Sequence, residues 1–259
     1  MKPAAPLLQV SNLAKYYGSR VGCEQISFNL YPGEVLCVAG ESGSGKSTLL
    51  NTLAFHQRPD AGSIRYDLRE EGATELGSLP DARLRELWRT DWGFVRQNPA
   101  DGLRMRVSAG ANIGERLMAI GDRHYGDIRG VAQDWLQRVE IDAARLDDAP
   151  TSFSGGMRQR LQIARNLVTE PRLVFMDEPT AGLDVSVQAR FLDLLRRLVA
   201  ELRIAVILVT HDLAVARLLA HRLIVMRHGR IVETGLTDQL LDDPQHPYTQ
   251  LLVSSVLTA

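Results

Sequence analysis

The segment Gly40-Glu41-Ser42-Gly43-Ser44-Gly45-Lys46-Ser47 constrains this chain more than any other. It follows the apolar run Val35–Ala39, which reads as a buried central strand, and leads into Lys46–Ala54, which reads as a helix. Glycines in such a loop let backbone N–H groups turn inward around a phosphate, where side chains would intrude. The helix opening at Lys46 adds the positive end of its dipole. Lys46 is then expected to reach β- and γ-phosphate oxygens and the Ser47 hydroxyl to ligate Mg²⁺, with Thr48 completing the cradle.

Binding alone does not imply turnover, so the next question is what could attack a bound phosphate. Leu173-Val174-Phe175-Met176 is a second apolar strand, and it ends in the carboxylate pair Asp177-Glu178. Strands of a parallel sheet deliver such residues at their C-terminal edge. Asp177 is expected to hold the Mg²⁺ shell. Glu178 is expected to orient and partly deprotonate the attacking water, a contribution of roughly 10²–10⁴ in rate. Gln97, after the short strand Gly93–Val95, can contact Mg²⁺ or the lytic water. His211, after the strand Ile204–Val209 and Thr210, can donate to the γ-phosphate. Their order carries more weight than either residue alone.

The remaining elements alternate. Leu7–Val10 and Ile26–Leu30 read as strands, Tyr31–Glu34 as a turn, Gly62–Tyr66 as a strand and residues 81–89 as an exposed helix. Val107–Glu140 is helical in pattern, with Ile113, Leu117 and Ile120 on one face and Val131, Trp135 and Val139 on another. Gly156–Val168 is a helix, and Val185–Leu202 is an amphipathic one with Val187, Phe191, Leu194, Leu198 and Leu202 inward. Arg222–Met226 and Arg230–Glu233 form a late hairpin, followed by a short helical tail. Apolar strands alternating with helices imply a mainly parallel sheet covered on both faces.

Bulk properties exclude several classes. A net charge of −1 gives no general attraction to nucleic acid or to anionic membranes. No apolar run approaches the roughly 20 residues that span a bilayer, and the N-terminus lacks the apolar core of a secretory signal, so the expectation is a cytoplasmic protein without direct membrane insertion. The two cysteines, Cys23 and Cys37, are too few for a disulfide framework, and Cys37 reads as a buried, inert thiol.

Phe153-Ser154-Gly155-Gly156-Met157 opens another helix on a serine and two glycines, a second anion-binding N-terminus. One nucleotide needs only one such loop from one chain, so this loop is expected to cover a nucleotide held by a partner. Together with Arg158-Gln159-Arg160 it resembles the signature motif of the ATP-binding cassette family. Ala181-Gly182-Leu183-Asp184 resembles that family's D-loop, and Tyr17 lies where the family stacks an aromatic ring on adenine. Met157, where the family most often has Gln, and Ala181-Gly182, where Ser-Ala is commoner, depart from the pattern.

The resemblance implies a P-loop NTPase fold of the cassette type, an α/β fold with an N-terminal antiparallel β subdomain and an inserted helical subdomain. It places the nucleotide core at 1–97 and 151–235, the helical subdomain at 98–150 and the tail at 236–259, all in one cassette. It implies ATP and Mg²⁺ as cofactors, catalytic roles for Glu178, His211 and Lys46, and nucleotide contacts from Tyr17, Gly40–Thr48, Gln97, Ser154–Gly156 and Asp184. The partner it implies is a second cassette, a copy or a paralogue.

The tail His246-Pro247-Tyr248-Thr249-Gln250 resembles the endings of peptide- and nickel-importer ATPases. Residues 98–129, with Arg104 and Arg106, are more similar to cassette subunits of the bacterial carbon–phosphorus lyase machinery, which implies docking on that soluble core during phosphonate breakdown. The rivals are an importer ATPase, a nucleic-acid-associated cassette protein and a non-hydrolysing nucleotide-binding scaffold. Long coiled coils or a second cassette, the marks of the nucleic-acid class, are not present in the sequence.

Overall fold

The computed structural model describes residues 5–257. It opens with two long strands, β1 (Leu8–Tyr17) and β2 (Arg20–Leu30), then β3 (Val35–Ala39), α1 (Lys46–Leu53), β4 (Ala61–Leu68), β5 (Gly72–Glu75) and α2 (Asp81–Thr90). The middle of the chain forms β6 (Trp92–Val95), α3 (Ala109–Ile120), α4 (Tyr125–Arg138), α5 (Gly155–Leu167), β7 (Leu173–Asp177) and α6 (Val185–Leu202). It ends with β8 (Ala205–Val209), α7 (Leu213–Leu219), β9 (Arg222–Arg227), β10 (Arg230–Leu236), α8 (Thr237–Asp242) and α9 (Pro247–Leu257). Two compact units result: one runs to Leu84 and resumes at Ala205, and the other is Arg85–Ile204.

The first unit holds an antiparallel sheet in the order β2-β1-β4-β5 and the strand array β10-β9-β3-β8. In β2, Ile26, Phe28 and Leu30 are buried while Gln25, Ser27 and Asn29 are exposed, the period-two pattern of a sheet with one covered face. In β1 the pairing slips between Val10 and Leu13, next to Asn12 at φ 49°. That irregularity breaks the alternation, so the sequence shows only the ends of a hairpin that extends through Tyr17 and Arg20. β3 runs parallel to both β8 and β9, and every residue of β3 and β8 is buried, which is why both read as continuous apolar runs.

The second unit pairs β6 parallel to β7 and surrounds them with helices. Trp88, Trp92, Phe94 and Phe175 form its aromatic centre, with Trp92 edge-on to Phe175 at 5.6 Å. The stretch expected as one helical block at 107–140 is two helices, separated where Gly121 takes φ 119° and His124 caps α4. The buried stripe of α4 is Ala132, Trp135 and Leu136, continued by Val139 just past its end, so Val131 falls at its edge and is exposed. Ile120, the last residue of α3, is exposed as well, whereas Ile113 and Leu117 are buried. In α6, Phe191, Leu194 and Leu198 face inward as expected; Val187 and Leu202 are half-buried.

Candidate functional site

The glycine loop leaves the C-terminal end of β3, and the neighbouring parallel strand β8 ends beside it, with Val38 opposite Val209. Thr210 donates its N–H to the Val38 carbonyl at 3.2 Å, which fixes the point where His211 leaves the sheet. His211 itself is exposed. Two expected site elements of the first unit, the loop and the histidine, therefore emerge at one sheet edge.

The loop requires its glycines for steric reasons. Gly45, the residue preceding α1, sits at φ 104°, and a Cβ there would lie 2.2 Å from the Gly22 carbonyl. Gly40 has φ 150°, and a Cβ would meet the Met226 carbonyl at 2.3 Å. Both positions exclude side chains. Ser44 has its Oγ buried without a hydrogen-bond partner, an acceptor and donor held ready at small cost only if something polar reaches it. Lys46 is buried and donates from Nζ to the carbonyls of Gly40 at 2.7 Å and Glu41 at 2.8 Å. A buried ammonium resting on two neutral carbonyls is poised to exchange them for phosphate oxygens. The cradle, the orphaned hydroxyl and the lysine all fit a nucleotide polyphosphate.

Tyr17 adds the aromatic component. Its ring and Thr48 both crowd Gly22: a Cβ there would meet Thr48 Cγ2 at 2.7 Å and Tyr17 Cε2 at 2.9 Å. The Tyr17 hydroxyl donates to Gln57 Oε1 at 2.6 Å while its ring stays about half exposed, the state of a stacking platform. Asp60 fixes the strand beneath it, accepting from the Tyr16 N–H at 2.7 Å and from Lys15 Nζ at 3.0 Å. The Tyr16 N–H first, and Lys15 second, hold the Asp60 carboxyl below its ordinary range.

In the second unit, β6 and β7 again end together, with Val95 opposite Met176, so Gln97 and the Asp177-Glu178 pair leave neighbouring strand ends. Glu178 holds φ 45°, a left-handed backbone that costs a non-glycine residue about 1–2 kcal/mol. Ala181 N–H closes the turn onto the Glu178 carbonyl at 3.0 Å. Ser154 caps α5, its Oγ accepting from the Met157 N–H at 3.3 Å, and both Ser154 and Gly155 are exposed. Gly156 is tight: a Cβ would lie 2.8 Å from Val187 Cγ1, which puts the start of α5 against the start of α6, whose N-cap is Asp184.

Two residues of this unit escaped sequence reasoning. Asn166 Oδ1 accepts the Phe94 N–H at 2.9 Å. Gln162 accepts the Arg96 N–H at 2.7 Å and donates to the Arg96 carbonyl at 3.1 Å. These buried amides on α5 clamp the strand end that carries Gln97. Polar residues spaced four apart on the inward face of an amphipathic helix were the available signal. Arg104 and Arg106 are both exposed, and Arg104 pairs with Glu115 on α3.

The family model described as ABC transporter matches residues 23–181, which spans the glycine loop, the signature segment and the carboxylate pair. The chain belongs to the ABC ATPase family. A second model, described as oligopeptide/dipeptide transporter, C-terminal region, matches residues 232–259 of this ABC ATPase. The chain is 64% identical over 252 residues to the phosphonates utilization ATP-binding protein PhnK of Escherichia coli (strain K12), covering 97% of this chain and 98% of that protein. A peptide import ATP-binding protein of Brucella abortus (strain 2308) is 40% identical, over 97% of this chain and 77% of that protein. Among solved structures, the dimeric post-hydrolysis state of the ATP-binding cassette MJ0796 bound to ADP and Pi matches with a TM-score of 0.78 and 28% identity, covering 89% of this chain and 98% of that one. The expected P-loop fold of the ABC type is thus the fold of this chain, and the chain is an ATP hydrolase. Among the described residues, no helix is long and apolar enough to cross a membrane.

Proposed function

We propose that this ABC ATPase closes as a dimer over ATP within the carbon–phosphorus lyase machinery, driving a conformational change during phosphonate breakdown. The observation that carries this reading is the 64% identity to PhnK over nearly the full length of both chains, against 40% for the peptide-import relative. The assignment of site residues rests on their chemistry and on the family pattern. Lys46 turns N–H donors from the Gly40 and Glu41 carbonyls toward phosphate oxygens, and the loop amides of Gly40–Thr48 and the Ser44 hydroxyl hold the polyphosphate. Tyr17 stacks on the adenine. Glu178 takes the proton of the attacking water, and His211 donates to the terminal phosphate. Mg²⁺, held by Ser47, Asp177 and Gln97, would supply charge neutralisation on the phosphates when bound.

Ser154, Gly155 and Gly156 of a second cassette cover the same ATP, with Asp184 in the set that meets it. Exposure of Ser154 and Gly155 at the start of α5 supports this reading, because it leaves that helix N-terminus accessible to a nucleotide on a second chain. Hydrolysis then releases the pair. The partners are a second copy or paralogue and the soluble subunits of the lyase core, and the place of work is the cytoplasm.

The test is affinity purification from phosphate-starved cells without detergent. Recovery of lyase-core subunits is the expected result. Recovery only with an integral membrane subunit supports the second reading, an importer ATPase, which the oligopeptide-type match at 232–259 favours.

A further inference from the structure

The tail motif His246-Pro247-Tyr248-Thr249-Gln250 has no part in the chemistry assigned so far, yet its tyrosine reaches the phosphate loop. Tyr248, on the first turn of α9, is buried, and its hydroxyl accepts the Glu41 N–H at 3.0 Å. Glu41 is the second residue of the loop and lies more than two hundred positions away in sequence. Its carbonyl is held from the other side by Lys46 Nζ at 2.8 Å and by the Ser44 N–H at 3.2 Å. The Gly40–Glu41 peptide unit is therefore fixed at its N–H by the tail and at its Gly40 carbonyl, 2.7 Å from Lys46 Nζ, by the loop's own lysine.

The two holds are not equivalent. Lys46 has three N–H donors to divide between the loop carbonyls and the phosphates, whereas Tyr248 has no such second task. Once ATP is bound, Tyr248 can therefore keep its whole hold on the Gly40–Glu41 peptide while Lys46 shares its own. We infer that Tyr248 is a positioning residue for the ATPase reaction: it fixes the Glu41 peptide so that the loop is preorganised for the polyphosphate.

The surroundings make Tyr248 rigid enough for that role. The Arg227 guanidinium lies over its ring, 4.8 Å from the centroid, and Arg227 ends β9 one residue past Met226, the carbonyl that Gly40 packs against. The Gly229 N–H donates to the Ser44 carbonyl at 2.9 Å, so the β9–β10 turn braces the loop as well. Glu233 on β10 then ties down the start of α9 by accepting the N–H groups of Gln245 at 2.8 Å and His246 at 3.1 Å. Burial works to raise the Glu233 carboxyl, but these N–H groups hold it below its ordinary range. It remains an acceptor at neutral pH. A chain of contacts thus runs from Glu233 through α9 and Tyr248 to Glu41.

The test uses the full chain with Tyr248→Phe, which keeps the ring under Arg227 and removes only the hydroxyl. Exchange of the Glu41 amide is read by NMR, and Mg·ATP affinity by calorimetry. The expected result is faster exchange at Glu41 together with a Kd for Mg·ATP weakened roughly 3- to 10-fold, the value of one net hydrogen bond. Unchanged Glu41 exchange or an unchanged Kd overturns the inference. Glu233→Gln tests it without touching the ring: it should also speed Glu41 exchange and weaken Mg·ATP binding, and it should add nothing in the Tyr248→Phe background. Fully additive losses would mean that Glu233 acts elsewhere and would break the proposed chain of contacts.

Discussion

Replacing Gln162 by Leu removes a clamp while nearly preserving side-chain volume. Gln162 is fully buried and makes three hydrogen bonds: from the Arg96 N–H at 2.7 Å, to the Arg96 carbonyl at 3.1 Å and to Gln159 Oε1 at 3.2 Å. Leucine leaves all three partners unsatisfied. A buried group stranded in this way costs about 1–3 kcal/mol. Arg96 is only half-buried, so water recovers part of its two losses, and the expected destabilisation is about 2–4 kcal/mol rather than the full sum. Urea unfolding followed by tryptophan fluorescence reads it directly, since Trp88 and Trp92 lie in the same unit. Turnover at saturating ATP should fall more than the folded fraction does, because Gln97 loses its anchored neighbour. A loss below about 0.5 kcal/mol, the range of surface substitutions, would refute the reasoning that the amide clamps the strand end.

Three further outcomes follow from the geometry. Gly45→Ala should abolish Mg·ATP binding, because its Cβ meets the Gly22 carbonyl at 2.2 Å on a φ of 104°; a calorimetric Kd within twofold of the native one would contradict this. Glu178→Gln should lower ATP turnover by roughly 10²–10⁴ and accumulate an ATP-bound dimer on size-exclusion chromatography, and normal turnover would remove Glu178 from the base role. Asp60 is held below its ordinary range when folded, so its stabilising effect is present above the unfolded-state value and is lost as pH falls through the folded one. The gap in urea midpoint between the native chain and Asp60→Asn should therefore be full at neutral pH and close in acid; a gap independent of pH would show that the Tyr16 and Lys15 contacts are not what Asp60 supplies.

The sequence disclosed those parts of the molecule whose physics is local. β3 and β8 are continuous apolar runs because both faces are covered, and the glycine loop is legible because φ near 100° with no room for a Cβ admits one residue type. The carboxylates after β7 follow from the same strand logic. The pattern weakened where an irregularity broke the period: the slip near Asn12 hid half of β1, and Gly121 divided a helical stretch that periodicity alone runs together. Contacts between distant positions left no local trace. Tyr248 on Glu41 joins residues from the two ends of one unit, and Gln162 on Arg96 joins a helix to a strand end.

The central claim is that one chain cannot finish its own ATP site, and mixing two inactive chains tests it most directly. Lys46→Ala removes the phosphate lysine and Ser154→Arg blocks the covering loop, so neither variant alone should turn over ATP. In a mixed dimer one site carries both defects and the other carries none. With random pairing, half the dimers are mixed and each has one of two sites intact, so ATPase should return to about a quarter of the native rate. No recovery, with mixed dimers demonstrated by mass, would contradict completion of the site by a second chain.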